Sequence, residues 1–220
     1  NVCADTIRVA KGVYKPAVAS RDSAFFFDRP VVLLGGYPDT GTPSDQERMP
    51  FVNETVLSGD IGVVSESSDN SPTLLRIIGT KDSSVVDGFI FRDAGVNEGD
   101  IVNLIVNNRG QTAVRLVYNY TLFNNCQFIN NRGATLGAAI NIDEIAACSI
   151  SKCIFINNRT PAHGGAIWFN GNRLKITESV FENNASDQQG GAINIQSGEL
   201  IITNTVFTGN SARSLAIGGG

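Results

Sequence analysis

The chain has 220 residues, 42% of them apolar and 17% charged, with 23 Gly and a formal net charge of −4. That length and apolar share suit one globular domain, and the acidic balance excludes a basic nucleic-acid-binding surface. No apolar run approaches the ~20 residues of a membrane span.

The chain starts at Asn1, with no initiator Met or signal peptide, and Met49 is the only Met, so it reads as a mature or excised fragment. Thr6–Val9, Phe25–Phe27 and Val31–Leu34 read as strands of irregular opening coils. Residues 37–55, rich in Pro, Gly and Asp, read as a long loop, functional or disordered. Strand returns at residues 56–60, and a second polar loop follows at 61–72. Leu74–Ile78, Val85–Phe91, Val102–Val106 and Ala113–Tyr118 read as further strands, the last two separated by a turn at Asn107–Gly110.

From Thr121 the sequence repeats itself. Phe128, Phe155, Phe181 and Phe207 are spaced by 27, 26 and 26 residues, and each is followed three residues later by Asn: Asn131, Asn158, Asn184 and Asn210. A second anchor runs in register, as Gly-Ala-Ala-Ile ending at Ile140 and Gly-Gly-Ala-Ile ending at Ile167 and Ile193. Each unit holds short period-two apolar alternations, such as Ile193 and Ile195 or Leu200 and Ile202, which is the pattern of half-buried strands. Three short strands per 26 residues fit one coil of a parallel β-helix; a propeller blade needs four antiparallel strands and a longer repeat.

The expected architecture is therefore all-β: a right-handed parallel β-helix of about six coils in one domain over residues 1–220, irregular over 1–120 and regular over 121–220. Sequence columns then become physical columns. The Phe residues form a core stack, and Cys148, Leu174 and Leu200 form an aliphatic one. The Asn131/158/184/210 column forms an amide ladder, and the Gly-Gly and Asn-Asn pairs supply corners with positive φ.

The paired Gly-Gly-Ala-Ile and Phe-x-x-Asn signatures resemble the repeats of chlamydial polymorphic outer-membrane proteins and the β-helix regions of secreted bacterial surface proteins. The opening segments Ile7–Pro16, Val32–Pro38 and Leu57–Asp60 resemble the first coils of such proteins from Bacteroidota. The resemblance implies an extracellular or cell-surface setting and leaves the activity open among adhesins, passenger domains and polysaccharide-active enzymes.

The residues themselves favour binding over chemistry. No Asp or Glu column recurs at the repeat spacing: Glu178 aligns with Lys152 and Asn204, and Glu182 with Ile156 and Thr208. Asp143-Glu144 reads as a solvated turn aligned with Asn170-Gly171, and His163, the only His, as an exposed turn residue. No metal site or cofactor is expected. Cys126 and Cys153 share a repeat position two before the Phe; a disulfide stays open, but parallel side chains suit stacked thiols better.

Among the outward positions, Trp168 lies between inward Ile167 and Phe169, with Asn141 and Asn194 on adjacent coils. If exposed, these three form a glycan- or protein-binding patch; the competing reading packs Trp168 under a loop. A second outward column runs Asn124, Ser151, Thr177, Thr203.

The functional expectation is a secreted or cell-surface module that binds or spans distance and does no chemistry, with a glycan or protein as partner. The alternatives are a polysaccharide-processing β-helix and a component of a secretion-associated assembly. The end near residues 216–220 reads as the start of another coil, to be covered by more of the parent chain or by another chain.

Overall fold

The computed structural model describes residues 5–17, 21, 23–64, 66, 69–79, 82–95, 111–118, 120–144 and 147–213. The strand expected at Val102–Val106, the turn at Asn107–Gly110, the coil start at 216–220 and Cys3 lie outside these residues.

The chain winds through three strand positions per coil. Coil one is β1 (Asp5–Ala10), β2 (Gly12–Tyr14) and β3 (Phe25–Phe27). Coil two is β4 (Val31–Tyr37), β5 (Thr55–Ser58) and β6 (Leu75–Ile78). Coil three is β7 (Ser83–Asp87), β8 (Phe89–Arg92) and β9 (Val114–Val117). Coil four is β10 (Tyr120–Asn124), β11 (Gln127–Ile129) and β12 (Ile140–Asp143). Coil five is β13 (Ala147–Ser151), β14 (Ile154–Ile156), the short β15 (Arg159–Thr160) and the first half of β16 (Ile167–Thr177). Coil six is the rest of β16, β17 (Val180–Glu182), β18 (Ala185–Ser186) and the first half of β19 (Ile193–Thr203). The rest of β19, β20 (Val206–Thr208) and β21 (Ser211–Ala212) begin a seventh.

Every strand pairing between coils is parallel, so the described residues build a parallel β-helix of six full coils and part of another. The first sheet runs β1-β4-β7-β10-β13-β16-β19 and the second β2-β5-β8-β11-β14-β17-β20. A third strand position stacks β3-β6-β9-β12 on the first halves of β16 and β19. Sheet register explains why only the second half of the chain looks periodic. Val32 pairs with Val85 and Val85 with Leu122, steps of 53 and 37 residues, because loops are inserted between the strands of coils two and three. Later steps are 27 and 26, as in Tyr120 to Ala147 and Cys148 to Leu174.

The Phe column is the axis of the core. Phe91, Phe128, Phe155, Phe181 and Phe207 stack with ring centroids 4.4–4.9 Å apart and near-parallel planes. Phe91 is the member that sequence spacing could not place, since the insertion before β9 hides its register. Leu57 and then Tyr14 continue the column toward coil one.

Two polar ladders flank that column. Asn131, Asn158 and Asn184 are fully buried. Each donates from Nδ2 to the Asn Oδ1 of the next coil at 2.9 Å, and to the carbonyl of Phe91, Phe128 or Phe155 at 2.9–3.1 Å. The ladder satisfies backbone groups at a corner that no strand pairing reaches. The second ladder is Cys126, Cys153, Ser179 and Thr205. Each donates to the carbonyl two residues earlier: Asn124, Ser151, Thr177 and Thr203. The two thiols are free and buried and stand where later coils place hydroxyls. Burial, and then the neighbouring Cys126, push the Cys153 thiol well above its usual range, so it stays protonated as a donor.

The corners carry the positive φ expected of Asn-Asn and Gly-Gly: Asn130, Asn157 and Asn183 at 53–56°, Gly137, Gly164 and Gly190 at 60–71°. A Cβ at Gly164 would lie 2.1 Å from the Ile167 carbonyl oxygen, so only Gly fits there. The column Asn125, Lys152, Glu178, Asn204 is also left-handed, at 46–53°, which its mixed composition did not announce.

The loop of residues 38–54 is pinned to the helix. Arg48 pairs with Asp87 at 2.6 Å and Lys11 with Asp39 at 3.1 Å. Asp45 accepts from Arg8 at 2.8 Å and from the Tyr37 hydroxyl at 2.5 Å. The Arg8 guanidinium first, and then Tyr37, hold the Asp45 carboxyl well below its ordinary value of 3.8. A depressed folded value means the contribution is complete above the unfolded value and is lost as pH falls through the folded one. Amide exchange of residues 38–54 is therefore expected to stay constant from pH 7 to about 4, intrinsic rates allowed for, and to accelerate only in stronger acid. Acceleration between pH 7 and 5 would contradict the clamp.

Candidate functional site

The outward residues of the first sheet differ from coil to coil, and that variation makes a groove. On β13 the outward side chains Ala147 and Ser149 are small. One coil earlier the same positions hold Tyr120 and Leu122, 45% and 37% exposed. One coil later they hold Arg173 and Lys175. The resulting cavity has a volume of about 290 Å³ and reaches Ser83 and Val85 on β7. None of its ten lining residues is acidic. Glu199 reaches the rim only through Arg173, whose Nε donates to it at 2.6 Å.

Chemically, this is a mixed surface. Tyr120 offers a ring face, Ser83 and Ser149 offer hydroxyls, and Arg173 a guanidinium. Such a set suits a ligand with apolar and hydroxylated faces.

Trp168, Asn141 and Asn194 lie on the outer face of the other part of that sheet, in one column with Arg76 and Arg115. Strand alternation does turn Trp168 outward, but it is only 8% exposed and Asn141 is fully buried; Asn194 is half-buried. Asn141 Nδ2 donates to the Leu136 carbonyl at 3.3 Å, which ties the column to the preceding corner. Trp168 is thus largely covered and does not project as an exposed aromatic. Asn141 Oδ1 and His163 Nδ1 are buried without a hydrogen-bond partner among the described residues.

Two further expectations are corrected. His163 is half-buried, bridging to Leu136 in the corner, because the corners of adjacent coils pack together. Asp143 is buried rather than solvated: it accepts from Asn170 Nδ2 at 3.1 Å, and Asn170 Oδ1 accepts from Ser197 at 2.6 Å. That chain is a cross-coil ladder with a structural task. In the column Asn124, Ser151, Thr177, Thr203, Asn124 donates to Asp87 at 3.0 Å. No group of three His, Cys, Asp or Glu side chains is placed to hold a metal ion among the described residues.

Sequence reading missed the groove because its walls are not repeated. The available signal was a coil of small outward residues, Ala147 and Ser149, between two coils of large ones, once the register of Tyr120 was known.

In comparisons with known proteins, residues 62–220 match a protein-family model described as a right-handed beta helix region. No curated protein and no solved structure matches the chain.

Proposed function

The chain belongs to the right-handed β-helix family, and from that premise we propose that it is a non-enzymatic binding module of a larger secreted or cell-surface bacterial protein, holding a glycan against its first sheet. The observation that carries this reading is the groove beside Tyr120, open to solvent and free of acidic lining residues. Glycoside hydrolysis calls on two carboxyl groups about 5–9.5 Å apart, and the lining supplies neither. The surface setting rests on the resemblance of the Gly-Gly-Ala-Ile and Phe-x-x-Asn repeats to those of polymorphic outer-membrane proteins and Bacteroidota surface proteins. No helix of the described residues is long and apolar enough to cross a membrane.

Glycan-array binding of the purified chain tests the reading. Tyr120→Ala is expected to weaken a positive signal by about threefold to tenfold, as for loss of one aromatic contact, and to leave the melting temperature unchanged. Absence of glycan binding would end the proposal. Release of shortened oligosaccharides would replace it with the polysaccharide-processing alternative.

A further inference from the structure

We infer that Asn170 is a modification site: it loses its side-chain amide spontaneously to the backbone of Gly171, and the carboxylate left behind breaks the polar ladder that joins coils four, five and six. Asn170 is the one Asn in the chain that Gly follows. With no side chain on Gly171, its backbone nitrogen meets less hindrance on the way to Asn170 Cγ than the corresponding nitrogen at any other Asn. The bond from that nitrogen to Cγ forms and the Cγ–Nδ2 bond breaks. The Gly171 amide proton passes through solvent to the leaving nitrogen, which departs as ammonia. Water then opens the cyclic imide at one carbonyl to give aspartate, or at the other to give isoaspartate. Water is the only co-reactant, so the step needs no enzyme and no redox partner.

A regularly paired strand would hold the Gly171 nitrogen away from Cγ, but pairing lapses here. On the side of the preceding coil, β16 pairs with β12 as far as Phe169 and with β13 only from Arg173, so residues 170–172 fall outside both pairings. On the side of the following coil, Asn170 pairs with Ser197 and Arg173 with Glu199, so Gly171 and Asn172 stand against Gly198 alone. Two residues against one is a bulge, which leaves a residue unpaired and bends the strand. Solvent reaches this corner: Asn170 and Gly171 are half-buried and Asn172 is exposed. The core ladder residues Asn131, Asn158 and Asn184 are fully buried, and none precedes a Gly.

The consequence follows from the partners of Asn170. Its Nδ2 donates to Asp143 Oδ1 at 3.1 Å, and its Oδ1 accepts from Ser197 Oγ at 2.6 Å. A carboxylate at this position still accepts from Ser197 but has nothing to donate to Asp143. Two carboxylates would then face each other across a former hydrogen bond, and Asp143 is buried. Asp143 would keep the backbone nitrogen of Glu144 as a donor, at 3.0 Å. The isoaspartate product adds a carbon to the backbone between the half of β16 that pairs with β12 and the half that pairs with β13.

The test is to hold the purified chain at mildly alkaline pH and follow each Asn by peptide mapping in the mass spectrometer, with isoaspartyl methyltransferase labelling to detect isoaspartate. Asn170 is expected to convert first, ahead of the exposed Asn172, and Gly171→Ala is expected to remove that lead. The melting temperature of Asn170→Asp, which carries the aspartate product from the start, should fall by roughly 2–4 °C. Adding Asp143→Asn to it restores one donor and one acceptor to the pair and should recover most of the loss. Conversion of Asn170 no faster than that of Asn172 would overturn the modification site. An Asn170→Asp chain as stable as the unmodified one, or one that Asp143→Asn does not rescue, would overturn the breaking of the ladder.

Discussion

Replacing Phe181 with Ala is expected to cost about 3–5 kcal/mol, the usual range for truncating a buried Phe. Its ring is fully buried and stacks on Phe155 at 4.4 Å and on Phe207 at 4.8 Å. Truncation removes both contacts and leaves a cavity that the stacked sheets cannot close, because strand pairing holds the coils at a set spacing. For a domain of this size the melting temperature should fall by roughly 6–20 °C. Phe207→Ala is the control. That ring is 44% exposed and stacks on only one other Phe, so its loss should cost half as much or less. Stability in a solenoid is carried mainly by interfaces between neighbouring coils, and the pair of variants measures that directly. A denaturant titration in which Phe207→Ala proves the more harmful would show that the column does not bear the coils' cohesion.

Asn158→Ala is expected to be nearly as damaging, for a different reason. Asn158 donates to the Phe128 carbonyl and to Asn184 Oδ1, both at 2.9 Å, and accepts from the backbone and side-chain nitrogens of Asn131. Removing it leaves several buried groups unsatisfied, each worth about 1–3 kcal/mol, so a total of roughly 3 kcal/mol or more follows. Asn158→Asp separates hydrogen bonding from packing. It preserves size, but an ionised carboxylate would face two acceptors in a fully buried site. Burial would raise its folded pKa above the unfolded value of about 3.9, so the variant's stability should be greatest in acid and fall as pH rises. Chemical denaturation of Asn158→Asp at pH 4 and pH 7 tests this, and equal stability at the two would mean the ladder position is hydrated.

The groove and the ladders differ in how far they could be read in advance. The 26–27 residue period is enough to infer the coil, the Phe stack and the Asn ladder, since parallel pairing converts a repeated position into a physical column. Even the Asn124, Ser151, Thr177, Thr203 alignment holds in the observed register. Interior columns are legible because close packing demands similar side chains at each level.

The outer surface follows no such demand. Whether Trp168 meets solvent depends on what packs over it, and strand alternation alone cannot say. Asp143 looks like a surface acid in the sequence but is buried in a cross-coil ladder, and the exposed Glu178 occupies a left-handed corner that its own side chain does not favour. Register across the long insertions before β5, β6 and β9 is likewise set only by pairing in space, which is why Phe91 joined the core stack unannounced. By itself the sequence determined the interior from coil four onward, where a period of 26–27 residues governs each coil. Tertiary structure decided the exterior, where a groove arises from the mismatch in side-chain size between Tyr120, Ala147 and Arg173, three residues that become neighbours only when the coils stack.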